Sequence, residues 1–306
     1  MLHHPSSNPL SPWERAGVRI SYRLPHLRAL AAALAALTLT GCSSPQAAVA
    51  PTAPPTGGGP GAAASAPSAP KVQRLVMSIA PPNTESNKVG VAATVQFFQL
   101  FPMYEFLIGV SEKGEEMVPQ LASAWKLEPD GKSYRFTLRP NVPFQGGRGN
   151  VTSADVAFSF DDNRKQSDED VVPPQVKTMA KQVLGVDAVS PTEVVVRLDK
   201  PDAGFLTGIS QAENVMPIRS KADADSRSRP PTMQDTPYAG TGPYAFSERD
   251  QSRYVRYKRT EGDHWRKTPA FPEFEYRFAK EASTRLASLI AREVQMTALS
   301  PDLTPQ

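Results

Sequence analysis

The chain has 306 residues, with 34 Lys and Arg against 31 Asp and Glu, one cysteine and four histidines. The surplus of charge is local. Residues 1–42 hold Arg15, Arg19, Arg23 and Arg28 against Glu14, so the remainder carries 30 basic residues (34 less 4) and 30 acidic ones (31 less 1). An even balance gives no support for a nucleic-acid binder. Three histidines also lie in residues 1–42, leaving His264, which argues against structural zinc and against hydrolases built on a serine–histidine or cysteine–histidine pair.

The first stretch, "MLHHPSSNPLSPWERAGVRISYR", is Pro-rich, aperiodic and longer than a targeting signal requires. Residues 1–18 read as translation from an upstream start codon and carry no weight in the fold. Arg19, Arg23 and Arg28 then precede "ALAAALAALTL", Ala29 to Leu39. A basic region followed by a short apolar run is the pattern of a secretory signal, and eleven residues are too few to span a bilayer, which takes about 20. "LTGC", Leu39 to Cys42, is similar to a bacterial lipobox. That resemblance implies cleavage before Cys42, whose sulfur would carry the lipid, making it an anchor and not a redox or metal residue. Ser43 follows, where an aspartate commonly retains lipoproteins in the inner membrane, so the choice of membrane stays open.

Residues 43–70 contain nine Ala, seven Pro, four Gly and four Ser and no charge. Such a segment cannot bury enough apolar area to offset its ordering entropy, so it reads as a tether. A globular domain is expected over 71–306. "RLVMSIA" from Arg74 is a strand-length run, and "VQFFQLFPMYEFLIGV", Val95 to Val110, predicts a buried helix interrupted at Pro102. "DGK" at 130–132 is a turn, and "SYRFTLR" alternates Tyr134, Phe136 and Leu138 against Arg135, Thr137 and Arg139, a half-buried strand. Thr152 and Asp155 stand at capping-box spacing before Val156 and Phe160. Val183 to Leu198 reads as a hairpin turning at Ser190–Glu193; "RYVRYKR" from Arg253 and "EFEYRF" from Glu273 read as strands. Leu286, Leu289, Ile290 and Val294 fall at helical spacing. Strands and helices mix without βαβ regularity, which points to an α+β or mixed α/β lobe.

Several of these stretches, in order, resemble the extracellular solute-binding proteins of family 5, the oligopeptide, dipeptide and nickel type receptors of ABC importers. "PQLASAWKLEPDGKSYRFTLRPNVPFQGGRGNVTSADVAFSF" (119–160) carries most of the likeness: Pro119, Leu121, Trp125, the Asp130-Gly131 turn, the aromatic strand ending Leu138-Arg139, Phe144 with its glycine loop, and Ala154-Asp155-Val156. Gln145 departs from the histidine of many members. "GTGPYAF" (240–246) followed by "HWR" (264–266), "PMYEFLIGV" (102–110) and "STRLASLIAREVQMTALSPD" (283–302) extend it, the last departing at Arg292 and Gln295 from the family's glycine and aspartate. The resemblance implies a two-lobed, Venus-flytrap fold like that of periplasmic binding proteins. This sequence would hold most of lobe I and lack the second lobe, as a C-terminally truncated member.

It further implies a lipid-anchored, periplasmic or envelope-held receptor for a peptide or other small solute, working with an ABC permease and ATPase, with no cofactor and no catalysis. A peptide receptor needs a cleft with roomy pockets and backbone groups for an extended ligand. On this reading Tyr104 and Glu105 stand at the cleft wall, Glu105 meeting a ligand amino group, and Thr241, Gly242 and Tyr244 line the cleft or hinge. The plainer readings are a helix end and a loop-to-strand turn. Trp125 and Trp265 are stacking platforms or core residues, and "GGRG" (146–149) is a loop without the Lys-Ser/Thr end of a phosphate cradle. Residues 160–170 match no calcium loop and read as a solvated helix end. Two other classes stay open: a secreted hydrolase using two of Asp155, Asp161 and Asp187, and a non-transporting remnant that only contacts a partner.

Overall fold

The computed structural model describes residues 73–82, 85, 87, 99–166, 174–233 and 235–298. Cys42 with its preceding signal, the 43–70 segment and the Val95–Phe98 part of the expected helix lie outside these residues. The described chain builds two principal sheets, each over its own core. One is drawn from the two ends of the described sequence and the other from its middle.

Strand β1 (Arg74–Ile79) lies parallel to β10 (Glu273–Phe278) and to the short β11 (Met296–Thr297). Antiparallel β9 (Tyr254–Arg259) and β8 (Tyr244–Asp250) complete a five-stranded sheet in the order β11-β1-β10-β9-β8. The strict alternation of "EFEYRF" decides its faces. Phe274, Tyr276 and Phe278 join Tyr257, Val255, Met103 and Phe106 in an aromatic core. On the other face Glu275 is buried beneath Arg256 and Arg277, at 2.7 and 2.9 Å. A side chain alternates sides at each residue, so one strand serves a dry face and a charged one.

The second sheet runs β4 (Ala122–Leu127), β5 (Ser133–Leu138), β7 (Glu193–Leu198), β6 (Val183–Ser190), all antiparallel. Tyr134, Phe136 and Leu138 are buried as their alternation predicts. The Asp130 carboxylate closes the turn by accepting from the amides of Lys132 and Ser133 at 3.0 and 2.9 Å, with Gly131 at φ +71°. The 183–198 hairpin forms as expected. Helix α1 (Ser153–Gln166) covers this sheet together with α2 (Pro174–Gln182). Its start is fixed by Asp155, whose carboxylate accepts from the Thr152 amide at 2.9 Å and hydroxyl at 2.7 Å. Short helices α3 (Phe205–Ile209) and α4 (Lys221–Asp225) lead back toward the first sheet, and α5 (Ala282–Ile290) follows β10. A small hairpin, β2 (Ile108–Val110) and β3 (Met117–Pro119), stands between the sheets in sequence.

Two expectations change. The run around Pro102 is not a helix over its described part. A single 3-10 turn spans Phe101–Met103, Tyr104 is extended at φ −119° and ψ 152°, Phe106 bridges Pro217, and 108–110 is β2. Every residue from Met103 to Gly109 is buried, Phe106 in the core of the first sheet and Leu107 and Ile108 in that of the second. An apolar run buried on both faces has no period by which a strand could be told from a helix. Helix α5 ends at Ile290, with Arg292 at φ +60°. Its most buried residue is Arg285, which donates to the carbonyls of Ala279, Lys280 and Ala298 at 2.8, 2.8 and 3.0 Å. Ile290 is 74% exposed, and Val294 is buried beyond the helix end.

Candidate binding cleft

The polar face of α1 sets the approach to the site. Ser159 accepts from the Arg219 amide at 3.0 Å, the buried Arg219 guanidinium reaches Asp162 at 3.0 Å, and Asn163 donates to Val215 O at 2.7 Å. These contacts hold the extended segment 215–220. That segment in turn donates from Ile218 N to Glu105 O at 2.9 Å and from Ser220 N to Ala239 O at 3.0 Å. The Tyr104–Glu105 segment and the Gly240–Tyr244 turn, 135 or more positions apart, are thereby brought side by side.

Their approach is close enough to require glycine. A Cβ on Gly240 would lie 2.1 Å from Met103 O, and one on Gly242 would lie 2.4 Å from Pro102 O. The requirement is space and not backbone conformation, since neither residue has positive φ. Gln145 fastens the junction. Its backbone amide donates to Gly240 O at 2.9 Å, and its side-chain amide lies 2.9 Å from Gly242 O, 2.8 Å from Tyr244 O and 3.3 Å from Met103 O.

Glu105 is fully buried, and its carboxylate is a hub. Oε2 accepts from Thr241 Oγ1 at 2.9 Å and from the Trp265 indole at 2.7 Å; Oε1 accepts from Arg266 Nε at 2.5 Å. His264 Nε2 lies 3.8 Å from Oε1 and 2.9 Å from Thr241 O, while its Nδ1 accepts from the Arg266 amide at 3.3 Å. A carbonyl can only accept, so Nε2 carries the proton in the neutral ring. Trp265 is flanked by two guanidinium groups, Arg139 and Arg266, each 5.6 Å from the ring centroid. Arg139 is itself anchored through Nε to Gln120 O at 2.7 Å.

A cleft of about 610 Å³ opens against this node. Phe144, Gln145, Thr241, Gly242, His264 and Trp265 form its wall, with Lys258, Arg259, Glu261 and Asp263 at its rim. Among the expected site residues, Thr241 and Gly242 line the cleft. Tyr104 and Tyr244 are buried behind it, donating to Tyr238 O at 2.7 Å and Phe271 O at 3.0 Å. Burial pushes both phenols above their ordinary range. Glu105 reaches the cleft only through its partners. Gln145, His264, Trp265 and Arg266 complete the constellation; the "HWR" triplet some twenty residues after "GTGPY" was the signal in the sequence for three of them. The three carboxylates of the hydrolase alternative stand apart from this cleft. Asp155 caps α1 and accepts from Lys221 N at 2.8 Å, Asp161 pairs with Arg164, and Asp187 pairs with Arg197 at 3.1 Å. Among the described residues no group of three or more His, Cys, Asp or Glu could hold a metal ion.

The family model described as bacterial extracellular solute-binding proteins, family 5 Middle, matches residues 116–306. The chain belongs to this family. The dipeptide-binding protein of Escherichia coli K12 is 26% identical over 207 residues, covering 64% of this chain and 38% of that protein. The probable ABC transporter periplasmic-binding protein SapA of the same organism is 26% identical over 275 residues, covering 86% and 48%. Among solved structures, a dipeptide binding protein from Pseudoalteromonas sp. SM9913 in complex with Met-Leu aligns with a TM-score of 0.64 at 25% identity, over 75% of this chain and 48% of that one. The chain thus spans less than half the length of these relatives. Its mixed α/β architecture is that of one lobe-sized part of a periplasmic-binding-protein fold.

Proposed function

We propose that this family 5 member is the solute-binding component of an ABC importer, receiving peptides or similar small solutes in the periplasm and passing them to a permease driven by a separate ATPase. The observation that carries the reading is the 610 Å³ cleft, walled in part by Thr241 and Gly242 of the Gly-Thr-Gly-Pro-Tyr turn and by Trp265, within a chain that matches the family model over 116–306. Its volume lies in the range of small-molecule sites, about 300–1,000 Å³. Its wall combines glycine backbone, a hydroxyl, an imidazole and aromatic faces, groups that suit an extended peptide backbone with variable side chains. No acid–base or nucleophilic step is assigned to it: the buried carboxylate nearest the cleft is already paired, and the receptor's work is capture and release.

In the same proposal Cys42 carries a lipid and residues 43–70 are the leash that holds the domain near a membrane. Thermal melts of the chain against di- and tripeptide pools test the binding part; stabilisation by peptides is expected, and flat melting curves across all pools would refute it. Intact mass of the membrane-associated protein tests the anchor. A diacylglycerol-sized increment that disappears in Cys42→Ala is expected, and an unmodified Cys42 would remove it.

A further inference from the structure

We propose that a second hollow, which shares the Gln145–Gly146 wall of the cleft, is a binding site for a compact oxyanion, a phosphate or a carboxylate, held between Arg148 and Arg227. The inference goes beyond the importer reading and does not depend on which solute the cleft takes.

The hollow has a volume of about 210 Å³ and has Gln145, Gly146 and Ala245 in common with the larger cleft. Whole-ligand sites run to about 300–1,000 Å³, so this one suits a single charged group and not an extended solute. Its charged lining is Arg148, Arg227 and Asp223, two cations against one anion. Asp223 is buried, and both its oxygens are taken. Oδ2 accepts from Arg227 Nη2 at 2.8 Å and from the Ala239 amide at 2.9 Å, and Oδ1 lies 3.2 Å from Arg148 Nη2. One carboxylate balances one guanidinium, so the lining keeps a positive surplus. Met103 and Phe246 add apolar wall, against which that surplus is screened less than on an open surface.

The two arginines play different parts. Arg227 is fixed: Nη1 donates to Thr236 O at 2.8 Å, Nη2 also reaches Pro237 O at 3.3 Å, and the guanidinium lies 5.4 Å from the Tyr238 ring centroid. Its Nε is buried and has no acceptor among the described residues. A buried N–H left unpaired carries a cost that an incoming oxygen removes. Arg148 is movable. Its side chain is 42% exposed, and its other contact is Nη1 to Ser226 Oγ at 3.3 Å. Gly147 and Gly149 on either side have φ of +68° and +83°, with nothing within 4 Å of a Cβ position, so no packing holds this stretch of backbone. Asp223 stays paired with Arg227 when Arg148 turns toward an anion, so capture leaves no buried charge uncompensated. The planar fork of a guanidinium matches two oxygens of a phosphate or carboxylate. A halide offers a single centre and no such match.

The test is residue-resolved labelling of arginines by phenylglyoxal, read by mass spectrometry on the full chain, in sodium phosphate or in sodium chloride of equal ionic strength. Millimolar phosphate should lower labelling of Arg148 severalfold and leave the exposed Arg197 unchanged. Equal labelling of Arg148 in the two salts overturns the proposal. Melting temperatures give a second arm. Phosphate should raise that of the wild-type chain saturably, by a few degrees, and that of Arg148→Ala no more than chloride does. The variant keeps the Asp223–Arg227 pair and is expected to fold. A phosphate shift of wild-type size in Arg148→Ala would mean general salt stabilisation and would sink the site. Once phosphate protects Arg148, a Glu-containing dipeptide decides the source of the anion. Protection at concentrations below those phosphate needs assigns the site to the acidic group of a solute reaching past Gly146; no protection by the dipeptide assigns it to a free anion. If no peptide stabilises the chain but phosphate protects Arg148, the site stands and the peptide reading fails alone.

Discussion

Replacing Gly240 by alanine tests whether the cleft wall is held by close backbone approach. The added Cβ would meet Met103 O at 2.1 Å, Tyr104 Cδ1 at 2.6 Å and Met103 C at 2.9 Å. Two of these atoms are backbone, so no rotamer change relieves the contact. Met103 O must move from 2.1 Å to about 3.0–3.4 Å, a retreat of about 0.9–1.3 Å. That carbonyl accepts from Gly242 N at 2.8 Å and Gln145 Nε2 at 3.3 Å, and both bonds break over such a shift. Two hydrogen bonds at about 1 kcal/mol each, with about 1–3 kcal/mol for overpacking, predict a loss of about 3–5 kcal/mol. Urea unfolding followed by far-UV circular dichroism reads it: with a slope of about 1–3 kcal/mol/M the midpoint falls by about 1 M or more. Gly208→Ala is the control. It lies within α3 with nothing inside 4 Å of its Cβ, so it should be neutral or gain up to about 1 kcal/mol. A Gly240→Ala chain with the wild-type midpoint would refute the close-approach account of the turn.

Acid should weaken the first sheet through Glu275. Burial pushes its carboxyl up, but hydrogen bonds from Arg256 and Arg277 outweigh that and hold it below its ordinary 4.5. The folded state then binds fewer protons than the unfolded one. The stability contribution is full above pH 4.5 and is lost as pH falls through the folded value, so the gap between wild type and Glu275→Gln in urea midpoint should narrow in acid; a constant gap would contradict this. Alkali acts through Tyr104, Tyr257 and Tyr276, whose phenols burial pushes above the ordinary 10.0. The unfolded chain ionises first, so stability declines above about pH 10, and tyrosinate absorbance from these three should appear only as the protein unfolds. Gln145→Leu removes the donor shared by Met103, Gly242 and Tyr244 and should cost about 1–3 kcal/mol, measured by the same unfolding. Asp161→Asn breaks only an exposed pair with Arg164 and should change stability by less than about 1 kcal/mol.

Where order along the chain is local, the sequence was a sufficient guide. The alternation of Ser133–Leu138, the Asp130-Gly131 turn, the Thr152/Asp155 cap and the 183–198 hairpin all appear where their residues place them, because each is decided by contacts within a few positions or by a period of two. The motif order also carried the family. Two local readings went astray for physical reasons. The run through Pro102 is apolar on both sides and so lacks a period, and α5 buries the charged Arg285 because three carbonyls at the edge of the first sheet need its donors.

The site was only partly legible. Gly240, Thr241, Gly242 and the "HWR" triplet could be singled out, and Glu105 could be suspected of meeting a positive group. That the group is Arg266 could not be read, because Glu105 lies 136, 160 and 161 positions from Thr241, Trp265 and Arg266. Pattern by itself pointed to a mixed α/β lobe, since hydrophobic period and turn chemistry are properties of neighbours, and the family came from the resemblance of its ordered motifs. Only the tertiary structure decided which carboxylate is buried, which cation holds it and which glycines must stay bare. Those are properties of separations in space, and a buried charge takes whatever partner the fold brings within reach.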